Sequence, residues 1–109
     1  MEEKTLGKIT SVKYGNIDNR YGLVLELTID GWSVQATNQL WDPETVLPTE
    51  NSKWDEHDLN DEIVSHTRFM SRILDEAKVS EIKHLIGKPV EVEVLGNMLR
   101  SWRILTEVL

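Results

Sequence analysis

The feature that most restricts this chain is a strict alternation over residues 21–30 that runs straight into an Asp-Gly pair. Tyr21, Leu23, Leu25, Leu27 and Ile29 fall on one side, and Val24, Glu26, Thr28 and Asp30 on the other. A period of two belongs to a strand with one buried face. Asp30-Gly31 then supplies hairpin chemistry, because both central residues of a type I′ turn need positive φ. A two-residue loop sets Ile29 against Trp32, Leu27 against Val34 and Leu25 against Ala36. The other face then pairs Glu26 with Gln35 and Thr28 with Ser33. Turn and pattern agree on one register, so the chain is committed to an antiparallel sheet.

The remaining segments are read against that hairpin. Residues 6–14 form a preceding strand with a less regular pattern. The link Gly15-Asn16-Ile17-Asp18-Asn19-Arg20 is rich in turn formers, which predicts a three-stranded meander. Residues 38–53 have no clean period and hold Pro43 and Pro48, which predicts a long loop. Ser52 with Asp55 resembles a capping box. A helix is expected from about Lys53 or Asp55 to Lys78, with Leu59, Ile63, His66, Met70, Ile73 and Ala77 as its apolar stripe and Phe69 and Leu74 widening it. Asp55, Glu56 and Asp58 suit its N-terminal dipole. Ser80 is expected to cap a second, short helix that Gly87 and Pro89 end.

Val90, Val92 and Val94 alternate with Glu91 and Glu93, and a last strand runs from Leu99 to Val108. A two-residue Gly96-Asn97 loop would set Val92 against Ser101. A three-residue Gly96-Asn97-Met98 loop sets Val92 against Trp102, Val90 against Ile104 and Glu91 against Arg103. The second register joins apolar to apolar and charge to opposite charge, and is preferred. It leaves Arg100 opposite Val94. The expected fold is α+β, one domain over residues 1–109. An N-terminal meander and a C-terminal hairpin make about five antiparallel strands, with one long and one short helix on one face.

Composition removes many functions. Twelve Lys and Arg against 19 Asp and Glu leave a net charge of −7, which disfavours binding to a nucleic-acid polymer. There is no cysteine, hence no disulfide and no thiolate chemistry. His57, His66 and His84 are too far apart for a helical metal motif, so no metal is expected. The glycines form neither a dinucleotide nor a Walker loop, and no cofactor is expected. The start Met1-Glu2-Glu3-Lys4 has no signal-peptide character, and no apolar run reaches membrane-spanning length. The expectation is a cytoplasmic protein, not an enzyme and not membrane-bound.

The residues left to carry function are few. His66 sits on the helix stripe, where a hydrogen-bonded core or interface histidine is the expectation. The acidic run Asp55-Glu56-His57-Asp58, then Asp61-Glu62, reads first as a solvated helix start. Arg68 and Arg72 stand one helical turn apart, beside the stripe. Arg100 and Arg103 lie on the last strand, where Glu91 or Glu93 offers a salt-bridge alternative. Arginine suits two-pronged phosphate recognition. Trp32 and Trp102 fall on apolar strand faces and read as core. Trp41 lies in the long loop and Trp54 beside the helix start, where an indole can anchor the loop or stack on a base. Asn97, at a turn, could read a base edge. The wide apolar strip of the helix favours a homo-oligomer, a dimer or higher.

Several stretches resemble small proteins encoded by bacteriophages. They are Gly7-Lys8-Ile9-Thr10, Asp30-Gly31-Trp32, Gly87-Lys88-Pro89-Val90-Glu91-Val92, Gly96-Asn97 and the run from Ser101 to Leu109. Proteins of this size and layout include the phage sponges that counter Thoeris-type defence, to which the chain is loosely similar. Those bind cyclic ADP-ribose isomers, hold them uncleaved and act as homo-oligomers with pockets between subunits. The resemblance implies a phage anti-defence protein in the host cytoplasm that sequesters a cyclic nucleotide-type signal. Residue chemistry then nominates Arg100, Arg103, Arg68 and Arg72 for phosphates, Trp41 and Trp54 for a base, and Asn97 for a base edge. The competing expectation, motivated by the charge of −7, is an acidic inhibitor of a host or defence protein that itself binds nucleic acid.

Overall fold

The structure is a computed structural model and describes residues 2–41 and 49–108. Five strands form one antiparallel sheet: β1 (Glu2–Ile17), β2 (Arg20–Ile29), β3 (Trp32–Trp41), β4 (Pro89–Leu95) and β5 (Met98–Ile104), in the order β3-β2-β1-β4-β5. A long helix, α1 (Glu56–Ala77), lies between β3 and β4 in the chain. The fold is α+β, as the pattern predicts. The expected short helix is a single 3-10 turn, Ile82–Leu85, and Ser80 does not cap it. The segment between α1 and β4, residues 78–88, buries Leu85 completely and bonds Gly87 N–H to the Ile9 carbonyl at 2.7 Å.

The central strand β1 serves two partners. Its first part, Glu2 to Lys8, pairs with β4, and Gly7 to Ile17 pair with β2. The register slips between Ile9 and Ser11, so Thr10 is an extra residue that bulges. That bulge reverses the parity of the strand. Gly7 and Ile9 face the core before it, and Val12 and Tyr14 after it, opposite Leu25 and Leu23. The irregular pattern of this segment therefore has a physical cause. Thr10 Oγ1 sits 2.8 Å from Thr28 Oγ1 and 3.1 Å from a Glu26 carboxylate oxygen, which seats the bulge on β2.

The β2–β3 register is the expected one, with Ile29 against Trp32, Leu27 against Val34 and Leu25 against Ala36. Its turn differs, since only Gly31 has positive φ, at 82°. The type I′ signature lies instead between β1 and β2, where Asp18 (φ 54°) and Asn19 (φ 66°) are both left-handed. The strand β3 also runs on to Trp41, so residues 38–41 are strand and not loop. Residues 42–48, with Pro43 and Pro48, lie outside the described residues. Beside Asn38, Gly22 is required: a Cβ there would stand 2.3 Å from the Asn38 carbonyl oxygen.

In the C-terminal hairpin Val90 meets Ile104, Glu91 meets Arg103 and Val92 meets Trp102, as the charge and hydropathy match predicts. Nearer the tip the register shifts. Leu99, not Arg100, faces Val94, and Leu95 faces Met98 across a two-residue Gly96-Asn97 loop. Arg100 is the bulged residue. The shift puts an apolar side chain where the three-residue loop would have put a guanidinium.

Helix α1 starts at a capping box three residues later than expected: the Asp55 side chain accepts from Asp58 N–H and the Asp58 side chain from Asp55 N–H, both at 3.0 Å. Ser52 closes a turn with Thr49 instead. At the other end Lys78 adopts the left-handed C-cap, φ 58°. Leu59, His66, Ile73 and Ala77 are buried along the helix. Ile73 and Ala77 join the core of Ile9, Leu25, Leu27, Val90 and Val92, with Phe69, Met70 and Trp102 packed around it. Trp32, read as core, is 40% exposed although its partner Ile29 is buried: it stands on the edge strand β3, next to the hairpin turn. The two edge strands draw together, with Cα atoms of β3 and β5 within 8 Å, and α1 packs against both. The sheet curls around its helix and leaves a seam along one flank of α1.

Candidate functional site

That seam gathers most of the polar chemistry. On α1, Arg68 and Arg72 fall on one flank because they are four residues apart, and Ser65 and Phe69 share that flank. From β3, Asn38 reaches the same place. These side chains, with Asp61 and Val64, line a cavity of about 370 Å³. A second cavity of about 230 Å³ continues from it through the shared Phe69 and Arg72, and is walled by Ile73, Glu76, Trp102, Arg103 and Ile104. The helix arginines of the sequence reading thus stand in one groove with a strand arginine. The groove brings two aromatic rings that the sequence reading had assigned to the core, Phe69 and Trp102. The Arg72 guanidinium lies 5.9 Å from the centre of the Phe69 ring.

A hydrogen-bonded chain centred on buried His66 stands behind the groove wall. His66, 7% exposed, sits 2.6 Å from Asn38 Oδ1 through Nδ1 and 2.8 Å from the Tyr14 hydroxyl through Nε2. An amide oxygen only accepts, so Nδ1–H donates to Asn38 and Nε2 accepts from Tyr14 O–H. Burial lowers the pKa of His66 and favours this neutral form. Burial, then the side chain of Tyr21, pushes Tyr14 up to about 12 and keeps its proton in place. The expected core histidine is therefore found, and its partners, which no spacing revealed, come from two different strands. It fixes the rotamer of Asn38 at the groove wall.

The strand arginines behave differently from the helix pair. Arg103 Nη1 and Nη2 donate to the two Glu107 oxygens at 2.9 and 2.8 Å, and Nε to Glu91 at 3.2 Å. The guanidinium holds Glu107 down at about 2, and the two carboxylates raise Arg103 itself. The salt-bridge alternative weighed for Arg103 is thus realised. Glu107 completes it from the turn after β5, four residues on. Arg100 is exposed on its bulge and Asn97 is exposed at the hairpin tip. Neither is among the residues lining the groove.

Trp41 and Trp54 line one cavity, and Arg68, Arg72 and Arg103 line others. The tryptophan cavity, of about 220 Å³ at the start of α1, is also lined by Asp58, Leu59 and Glu62. Among the described residues no group of three or more His, Cys, Asp or Glu is placed to hold a metal ion. Among the same residues no helix is long and apolar enough to cross a membrane. A scan against protein-family models matches none, and searches of curated proteins and of solved structures find no match.

Proposed function

We propose that the groove between α1 and the edges of β3 and β5 binds a small anionic ligand that carries a base, of the nucleotide class, and sequesters it without chemistry. The observation that carries this reading is the convergence of Arg68 and Arg72 with Asn38, Ser65 and the rings of Phe69 and Trp102. Guanidinium pairs suit phosphate oxygens, amide and hydroxyl groups suit base edges and ribose, and flat rings suit a base. The larger cavity has the volume of an ordinary small-ligand pocket. No reaction is assigned because the one buried histidine spends both nitrogens on Asn38 and Tyr14 and has none to offer a substrate.

Within this reading, the likeness to phage sponges supports a cyclic ADP-ribose isomer or cyclic oligonucleotide as ligand, held by a homo-oligomer. The test is capture. Purified protein is incubated with a panel of such compounds, desalted and heat-denatured, and the released material is read by mass spectrometry. One compound recovered intact supports sequestration. An altered product points to an enzyme, and an empty panel refutes the reading. Light scattering with and without ligand tests the oligomer.

The acidic-inhibitor reading rests on the charge of −7 and the exposed carboxylates Glu56, Asp58, Asp61 and Glu62 at the start of α1. It predicts salt-sensitive binding to a basic protein and no small-anion affinity.

A further inference from the structure

We infer that the cavity between Trp41 and Trp54 is a second site, for an organic cation such as a quaternary or alkyl ammonium group. Two indoles and the buried Leu59 give it apolar walls, and Asp58 and Glu62 stand at it as carboxylates. An aromatic face is electronegative and attracts a cation, and indole does so best. The two carboxylates add attraction of the same sign and repel phosphate, so the base-stacking role considered for these tryptophans does not fit an anionic nucleotide here. Its volume of about 220 Å³ is below the range of whole small-molecule pockets and suits a single headgroup.

The chain itself already uses Trp41 in this way. The Arg20 guanidinium lies 4.8 Å from the centre of the Trp41 ring, and Arg20 pairs with Trp41 across the β2–β3 ladder. Arg20 is not among the residues that line the cavity, so the contact orients the indole without filling the site. Asp58 spends one oxygen on the Asp55 N–H. The nearest cation in the sequence is Lys53, which is exposed beside Trp54. The site shares no lining residue with the arginine groove and stands or falls separately from the proposed function.

Choline chloride and its uncharged isostere 3,3-dimethylbutanol are titrated into ¹⁵N-labelled protein at constant ionic strength, following the four indole N–H signals. A peptide bearing one trimethyl-lysine is titrated in parallel. Choline is expected to shift two indoles, those lost in Trp41→Leu and Trp54→Leu, and to leave Trp32 unmoved. Glu62→Gln, on the helix surface and outside the capping box, is expected to weaken choline about threefold, and Trp54→Leu about tenfold. Comparable affinity for choline and peptide makes the free headgroup the ligand. Much tighter peptide binding makes it a basic side chain of a protein partner. Equal binding of the uncharged isostere, shifts reproduced by sodium chloride, or no shift at all would overturn the site.

Discussion

The two cavities lie on successive stretches of the same helix, yet their linings differ in charge: carboxylates alone at the first, Arg68 and Arg72 beside Asp61 at the second. Near the capping box, Asp58 and Glu62 meet two indoles. Two turns further on, Arg68 and Arg72 meet Asn38, Ser65 and Phe69. The buried stripe of α1 runs beneath both, with Leu59 at the first and His66 and Ile73 near the second, and none of these residues sets the sign of the charge. The flank does, and flank residues are free to vary because they are not needed to bury the helix. A single amphipathic helix can therefore present two differently charged linings along its axis.

The sharpest break of that comparison is the double substitution Arg68→Ala with Arg72→Ala. Each charge-assisted hydrogen bond contributes about 1.5–3 kcal/mol, so anion affinity by calorimetry is expected to fall roughly a hundredfold or more. Choline affinity should stay within about twofold. Parallel loss at both sites would mean one coupled pocket and end the comparison.

A smaller effect is expected at the wall that only the arginine groove shares. His66→Phe leaves Asn38 Oδ1 and the Tyr14 hydroxyl without their partner, a loss of about 1–3 kcal/mol in a denaturant titration. Because Asn38 then loses its fixed rotamer, anion binding should weaken and choline binding should not. The same residue sets a pH dependence. Burial lowers the folded pKa of His66, so below its ordinary value near 6.5 the unfolded chain binds the extra proton first. Stability is then expected to fall as pH drops through roughly 6 and below. His66→Phe should flatten that part of the curve; an unchanged slope would show that other groups control it.

Much of the sheet was legible because strand registers obey short-range arithmetic. The β2–β3 pairs and the Glu91–Arg103 cross-strand pair follow from alternation and charge matching alone. The misses have a common origin in single extra residues. Thr10 and Arg100 bulge, and a bulge leaves no periodic mark; it appears only as disorder in a pattern. The site was legible by residue type and not by grouping. Spacing could pair Arg68 with Arg72 on one helix. It could not know that the curl of the sheet brings β3 and β5 to that flank, or that Phe69 and Trp102 line the opening as well as the core. Nor could it see that Glu107, four residues after Arg103, turns back to hold it. A Glu at i+4 was the available signal, and a strand reading extended to Val108 hid it.

That last pair offers the finest adjustment of the contrast between the cavities. Arg103 lines the groove but spends both terminal nitrogens on Glu107, so its charge there is cancelled by an adjacent carboxylate. The pair is exposed, and exposed pairs contribute little to stability. Glu107→Gln is therefore expected to leave the melting temperature close to that of the parent at neutral pH. It removes one negative charge beside the groove and frees one guanidinium edge for an incoming phosphate. Anion affinity should rise a few-fold at low salt and the gain should shrink as salt screens it. Acid should mimic the substitution: Glu107 is held near 2, below its unfolded value, so its stabilising contribution is present above about 4.5 and is lost as pH falls toward the folded value. Choline binding at the acidic cavity should not respond to Glu107→Gln. A gain there, or a loss of anion affinity, would mean that Glu107 orders the groove by holding Arg103 in place, and the neutralised arginine would then be a wall and not a reserve of charge.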